Sequence, residues 1–287
     1  MVRNFLRRLS RPIQTFRRQA TISTQYVTSA PSAQNALDIF KGRWWSRLPE
    51  PFAPLQAGNI ALFEDPRITW AISQLGGLRD QTVLELGPLE GAHSYMLEHA
   101  GAASIISIEA NPEAYLKCLV IKEAVALERT HFLCGDFLEY LRNSPPHFEA
   151  ALASGVLYHM VEPAELIALL SDITQNLYLW THYYDAQLVA ADRKLGSMFV
   201  GERQSEHAGF RHRLFRYEYW GSFGARQFCG GSRPHAHWMT REDILRCLQH
   251  FEFTEIRTNF EAPDHPDGPA FAIVARKKRG SSDDSME

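Results

Sequence analysis

The sequence predicts an α/β domain built on a doubly wound, largely parallel sheet. Three observations point to it. From Thr82 to Thr181, short apolar runs alternate with helical patterns, the rhythm of a parallel sheet covered on both faces. The first of these runs ends in a glycine-containing turn that opens a helix, Val83-Leu84-Glu85-Leu86-Gly87-Pro88-Leu89-Glu90-Gly91. Acidic residues stand just beyond the ends of successive runs, at Glu109 and Asp136. The bulk values agree with one globular domain. The chain has 287 residues, 45% of them hydrophobic and 22% charged, which excludes a mostly disordered or collagen-like protein. No apolar run approaches the roughly 20 residues of a spanning helix.

Residues 1–35 read as a basic arm and linker that is expected to be flexible. The first 37 residues hold six arginines and no Asp, Glu or Lys; the whole chain carries −3, so the remainder carries −9. The acidic remainder argues against a nucleic-acid-binding surface spread over the whole protein. Val2, Phe5, Leu6, Leu9, Ile13 and Phe16 recur at steps of three or four and give residues 1–20 an amphipathic face, interrupted at Pro12. Three roles fit such an arm: a solvated tail, a peripheral contact with a membrane surface or RNA, and an organellar transit peptide. The corresponding locations are the cytoplasm, a membrane surface and an organelle. Ser, Thr, Gln and Pro dominate residues 21–35.

The folded domain is expected over 36–277. Trp44, Trp45, Leu48, Phe52 and Leu55, broken by Pro51 and Pro54, form an irregular flap, with packing on the core as its first role and covering a ligand as its second. Residues 66–76 read as a helix ended by Gly76-Gly77. The strand–helix alternation then runs Thr82–Leu86, Ala92–His99, Ser104–Ile108, Pro112–Leu127, Thr130–Leu133, Phe137–Leu141, Phe148–Ala153, Pro163–Ser171 and Leu177–Thr181. Proline at the start of the 112 and 163 helices supports those boundaries. Residues 185–239, with seven glycines among aromatic and basic residues, break the rhythm and read as an insertion that covers a substrate. A helix at Thr240–Phe251 and two strands, Phe253–Phe260 and Ala270–Ala275, close the sheet; 278–287 is a charged tail expected to be disordered. Cys118, Cys134, Cys229 and Cys247 lack metal-ligand spacing, so they read as buried, reduced thiols and no metal is expected.

The residues with chemistry sit where the strands end. Glycine after the first strand lets backbone approach a nucleotide-like ligand. Glu109 lies 22 residues after Gly87, at the end of the next strand, where a carboxylate accepts hydrogen bonds from ribose hydroxyls. The Gly-x-Gly-x-x-Gly of a dinucleotide dehydrogenase is absent. Asp136-Phe137 follows the third strand and Ser154-Gly155-Val156-Leu157-Tyr158-His159 the fourth.

In these motifs the chain resembles the class I S-adenosylmethionine-dependent methyltransferases, over roughly residues 60–185 and 237–277. The resemblance implies a Rossmann-like seven-stranded sheet of order 3-2-1-4-5-7-6 with strand 7 antiparallel. It implies S-adenosyl-L-methionine as cofactor, with Glu85, Gly87 and Gly91 at its methionine end, Glu109 on the ribose, Asp136 and Phe137 at the adenine, and Ser154 near cofactor and substrate. The family's Gly-x-Gly-x-Gly has Leu89 at its middle position here. The run from Phe148 to His159 is further similar to the tRNA wobble-uridine carboxymethyltransferases, whose cofactor is carboxylated and held by basic residues. Methylation of an oxygen calls for a base, and histidine suits neutral pH. His159, after the fourth strand, is the first candidate and His182, after the fifth, the second. The cluster His207, Arg211, His212, Arg213 and Arg216 reads either as an anion site or as a solvated basic face. The expected activity is methyl transfer to a small molecule, sugar- or lipid-linked; the alternatives are tRNA modification and a non-catalytic module of the same fold.

Overall fold

The computed structural model describes residues 26–223 and 230–278. The expected arm at 1–20 and most of the tail therefore lie outside the described residues. A short helix α1 (Ala33–Asp38), N-capped by Ser32, opens the described part. It begins before residue 36, so ordered structure crosses the boundary expected between linker and domain. Helix α2 (Pro66–Leu75) follows, capped by Asp65 and ended by Gly76 at φ +84°, with Gly77 N–H donating to Ile72.

The main sheet comprises β1 (Thr82–Leu86), β2 (Ser104–Glu109), β3 (Thr130–Cys134), β4 (Ala150–Ser154), β5 (Asn176–His182) and, at the C-terminal end, two further strands, Phe253–Ala262 and Ala270–Lys277. Helices α3 (Ala92–His99), α4 (Pro112–Ala124), α5 (Phe137–Arg142) and α6 (Pro163–Ile173) make the crossovers. After β5 come α7 (Ala186–Ala191), α8 (Arg193–Gly196), β6 (Phe199–His207), β7 (Phe210–Glu218) and β8 (His235–Trp238), then α9 (Arg241–His250). The closing strands become β9 and β10. The sheet order is β3-β2-β1-β4-β5-β10-β9, and β10 runs antiparallel to β5, as the sequence predicts for strand 7.

Every residue of β1 beyond Thr82 is buried, and the small side chains of β4 (Ala150, Ala151, Ala153) let helices pack closely on both faces. One face carries Leu84, Leu86, Leu177 and Leu179 against α6 and α9; the other carries Val83, Ile105 and Leu152 against α2 and α3. A fully buried leucine in such a layer stabilises the fold by about 1.5–3 kcal/mol.

Two satellite units flank the sheet. The flap packs Leu37, Phe40, Trp44, Leu48 and Phe63 onto Cys118, Ile121 and Phe132, a core of its own beside α4 and β3. The insertion is an antiparallel sheet of order β6-β7-β8. It is tied to the turn after β4 by His237 N–H donating to the Met160 carbonyl at 2.8 Å. Cys118 and Cys247 are buried as expected; Cys134 is exposed, because it sits at the outward-facing end of the edge strand β3.

Candidate active site

At the C-terminal end of β1 the chain turns through three left-handed residues, Gly87 (φ +67°), Leu89 (φ +56°) and Gly91 (φ +78°). Leu89 therefore adopts the conformation that a glycine would take, at a cost of about 1–2 kcal/mol. A Cβ on Gly87 would lie 2.7 Å from Val156, so the turn is pressed against the loop after β4. This is a cradle that only small residues leave open.

The carboxylates at this edge are buried. Glu85 accepts from Ser107 Oγ at 2.7 Å and from Ser94 Oγ, while its Oε1 is buried with no hydrogen-bond partner. Burial pushes its pKa up, against the opposing pull of His93, Ser94 and Ser107. Glu109 accepts from Asn111 N–H at 2.8 Å and from Leu89 N–H at 3.1 Å. Burial raises its pKa too, opposed by those amides. Glu109 thus stands next to the turn, joined to it by one backbone amide. Asp136 is exposed and its Oδ1 caps α5 through Leu138 N–H. Phe137, expected at an adenine, is only 9% exposed, and its ring belongs to the main core.

A polar cluster that the sequence did not announce lies alongside. Arg67 forks onto Asp65 (Nη2–Oδ2 2.6 Å), His93 Nε2 meets the same carboxylate at 3.1 Å, and the Arg67 guanidinium stands 4.5 Å over the Trp180 ring. Burial opposes ionisation of Asp65, but hydrogen bonds from His93 and Arg67 hold it well below the usual carboxylate range.

Across Val156, the ends of β4 and β5 carry rings. Tyr158 lies between the two candidate histidines, with centroids 4.0 Å from His159 and 4.5 Å from His182. Trp238 of β8 stacks on His182 at 5.2 Å, and Trp180 and His265 meet it edge-on. Ser154 ends β4, half-buried, beside this group. His182 Nδ1 lies 2.7 Å from the Gly268 carbonyl. A carbonyl accepts only, so Nδ1 carries the proton and Nε2 the lone pair. Burial lowers the His182 pKa to about 4. His159 shares a 2.6 Å hydrogen bond with the Tyr219 hydroxyl, and burial together with His182 lowers its pKa to about 3.

The basic cluster of the insertion is not an open anion site. Alternation along β7 buries His212 and exposes Arg211, Arg213 and Arg216, and these pair with Glu206, Glu202 and Glu218. A groove of about 600 Å³ beside Tyr184, lined by Arg213, Arg241 and Arg246, has none of the expected cofactor-binding residues or candidate bases in its wall. Among the described residues no group of His, Cys, Asp and Glu could hold a metal ion, and no helix is long and apolar enough to cross a membrane.

No protein-family model matches the chain. A tRNA U34 carboxymethyltransferase of Chromohalobacter salexigens is 28% identical over 126 residues, 42% of this chain and 38% of that protein, so the match spans less than half of that relative. Among solved structures, the N-terminal domain of EvdMO1, crystallised in the presence of SAH and D-fucose, superposes with a TM-score of 0.65 at 19% identity, covering 86% of this chain and 95% of that one. The 1,6-didemethyltoxoflavin-N1-methyltransferase of Burkholderia thailandensis gives 0.51 at 15% identity, covering 77% and 80% of the two chains. The magnesium protoporphyrin IX methyltransferase of Synechocystis PCC 6803 gives 0.50 at 17%, covering 74% and 81%. Together with the strand order, these likenesses show that the fold is that of the S-adenosylmethionine-dependent methyltransferases.

Proposed function

We propose that the chain is an S-adenosylmethionine-dependent methyltransferase acting on a small molecule, sugar- or lipid-linked. One observation carries this reading. A left-handed glycine turn with Glu109 beside it faces, across Val156, a box of aromatic rings holding two neutral histidines.

The chain's own groups fit the cofactor. The Gly87 cradle would be filled by a Cβ, and Glu85, two residues before it, has an orphan Oε1. Glu85, Gly87 and Gly91 would hold the methionine end, with Arg67 as a cation for its carboxylate. Glu109 would hold the ribose hydroxyls, in exchange for its present amide partners. Asp136 would border the adenine, with the Phe137 ring packed in the core behind it, and Ser154 would lie between cofactor and acceptor. When bound, S-adenosylmethionine supplies a methyl group already activated on a sulfonium.

The protein's remaining work is alignment, exclusion of water and removal of a proton from the acceptor. We place the base at His182 ahead of His159, reversing the order expected from the sequence. Its tautomer is fixed by the Gly268 carbonyl, so the Nε2 lone pair is present at neutral pH. The ring-lined box suits a ring or acyl surface carrying a hydroxyl, because apolar faces stack on aromatic rings. The D-fucose named for the EvdMO1 crystal and the porphyrin and toxoflavin named for the other neighbours are in keeping with a small acceptor.

Calorimetry with S-adenosylmethionine and S-adenosylhomocysteine, on wild type and Glu109→Ala, tests the cofactor. Absence of binding by wild type would sink the reading. Labelled S-adenosylmethionine incubated with fractionated extract then shows whether label enters small molecules, lipid or RNA.

A second reading, tRNA modification in the cytoplasm, is favoured by the local match to the carboxymethyltransferase and by the six arginines of the arm. It expects salt-sensitive tRNA binding that is lost on deletion of residues 1–20; equal binding by the truncated protein counts against it. Cofactor binding with no label transferred to any fraction would instead favour a non-catalytic module.

A further inference from the structure

Glu90 sits in the turn between Gly87 and Gly91, where a charged residue is ordinarily solvated, yet it is 1% exposed. Its carboxylate turns inward and collects three donors from elsewhere in the chain. Trp45 N–H donates at 3.0 Å, Ser46 N–H at 2.9 Å and Lys117 Nζ at 3.0 Å. Lys117, itself 5% exposed, also donates to the Arg43 carbonyl and lies 5.5 Å from the Trp44 ring centroid. Arg43 is 5% exposed and pairs with Glu113 at 2.9 Å. The strand-like pass at Ser46 is closed by its bridge to Ile60. Gly58 approaches so closely that a Cβ there would lie 2.2 Å from the Trp45 carbonyl oxygen. The loop from 43 to 60 is therefore a tight unit, and its polar anchor is a side chain of the cofactor turn.

We propose that Glu90 is a positioning residue that clamps the 43–60 flap onto the Gly87–Gly91 turn and thereby sets the turn's affinity for S-adenosylmethionine. The clamp rests on the function proposed above. Its physical basis is the coupling of two burials. Glu90 and Lys117 are tolerated out of water only while each holds the other and the flap amides remain in place. Seating the flap fixes Glu90, and Glu90 fixes the residues on either side of it. Those neighbours are Leu89, whose N–H reaches Glu109, and Gly91, which opens α3. A carboxylate that anchors backbone amides is preferred to an apolar contact here because it fixes direction as well as distance.

The test uses the full chain and three proteins: wild type, Glu90→Gln, and Glu90→Gln with Lys117→Met, which removes both charges and leaves no unpaired cation. Hydrogen exchange without ligand reads the clamp, and calorimetry with S-adenosylhomocysteine reads the affinity. The expected result for Glu90→Gln is at least tenfold faster exchange at Trp45 and Ser46, with β1 and β4 amides still protected, and a roughly tenfold weaker affinity. The double variant is expected to recover folding stability but not affinity. Loosened 43–60 amides with unchanged affinity would overturn the clamp and leave Glu90 a structural anchor; unchanged exchange would overturn it as well. Absence of binding by wild type would remove the proposed function and the clamp's role in affinity together. Binding by wild type with an unaffected Glu90→Gln variant removes only the clamp.

Discussion

At the ends of β1 and β2 the candidate site is made of backbone and carboxylates: three left-handed residues, with Glu85 and Glu109 bound to hydroxyls and amides. At the ends of β4 and β5 it is made of rings: Tyr158, Trp180, His182 and Trp238, with His265 and Tyr219 brought in from distant segments. The first region takes its shape from one contiguous turn. The second is assembled from five separate stretches of chain and holds its histidines neutral by burial. Under the proposed function the contrast separates two tasks, holding a polar cofactor and receiving a weakly polar acceptor. It can be broken by variants that damage one region and leave the other intact.

The largest separation is expected from His182→Gln. Loss of a general base lowers methyl transfer by about two to four orders of magnitude. Affinity for S-adenosylhomocysteine should stay within about twofold. Single-turnover transfer of labelled methyl and calorimetry check the two halves of this expectation; a parallel fall in affinity would mean that the regions are not independent.

Acid should weaken the ring region first. The folded pKa of His182 is about 4 against 6.5 for the free side chain. Between those values the unfolded chain binds the extra proton, so folding stability is full above pH 6.5 and is lost as pH falls toward 4. His159, at about 3, acts in the same direction. For His182 the loss is on the order of 3 kcal/mol. Urea titrations at pH 7 and pH 4.5, on wild type and His182→Gln, measure it; a pH dependence that persists unreduced in the variant would assign it elsewhere. The same pKa predicts that the base stays available down to about pH 4.

Glu109→Ala addresses the carboxylate region. Removing a charged hydrogen-bond acceptor is worth about 1.5–3 kcal/mol, so affinity for S-adenosylhomocysteine should fall roughly 10- to 100-fold. The near-ultraviolet circular dichroism of the rings should not change. Leu89→Gly is the smallest change. Relief of the left-handed strain is offset by glycine's extra freedom, leaving a stability change within about 1 kcal/mol and an intact cofactor turn. A large loss would show that the Leu89 side chain has a role beyond its backbone conformation.

Much of the carboxylate region was legible in the sequence. Gly87, Gly91 and Glu109 are read from residues that follow strands at fixed distances, and the structure puts all three at one sheet edge. Helix starts were legible for a local reason too: proline stands at the beginning of α4 and of α6. Phe137 shows the limit. Its position after Asp136 is local, but whether its ring faces a ligand or the core depends on what packs against α5. For the insertion's basic cluster both readings were open, and β7 alternation with glutamates on β6 and β7 decided for the solvated face.

The alternation that builds the sheet, the order of its elements and the glycine turn are legible in the residues alone. Strand and helix periods, caps and turns are local properties of neighbouring residues. Tertiary structure alone decided that Glu90 faces inward to hold Trp45 and Ser46, that Arg67 lies over Trp180, and that the Gly268 carbonyl fixes the His182 tautomer. Those contacts join residues 44 to 113 positions apart, such as Ser46 with Glu90 and Arg67 with Trp180. No spacing in the chain encodes a partner at that distance; it is chosen when packed layers bring the two together and burial makes an unpaired charge or dipole costly.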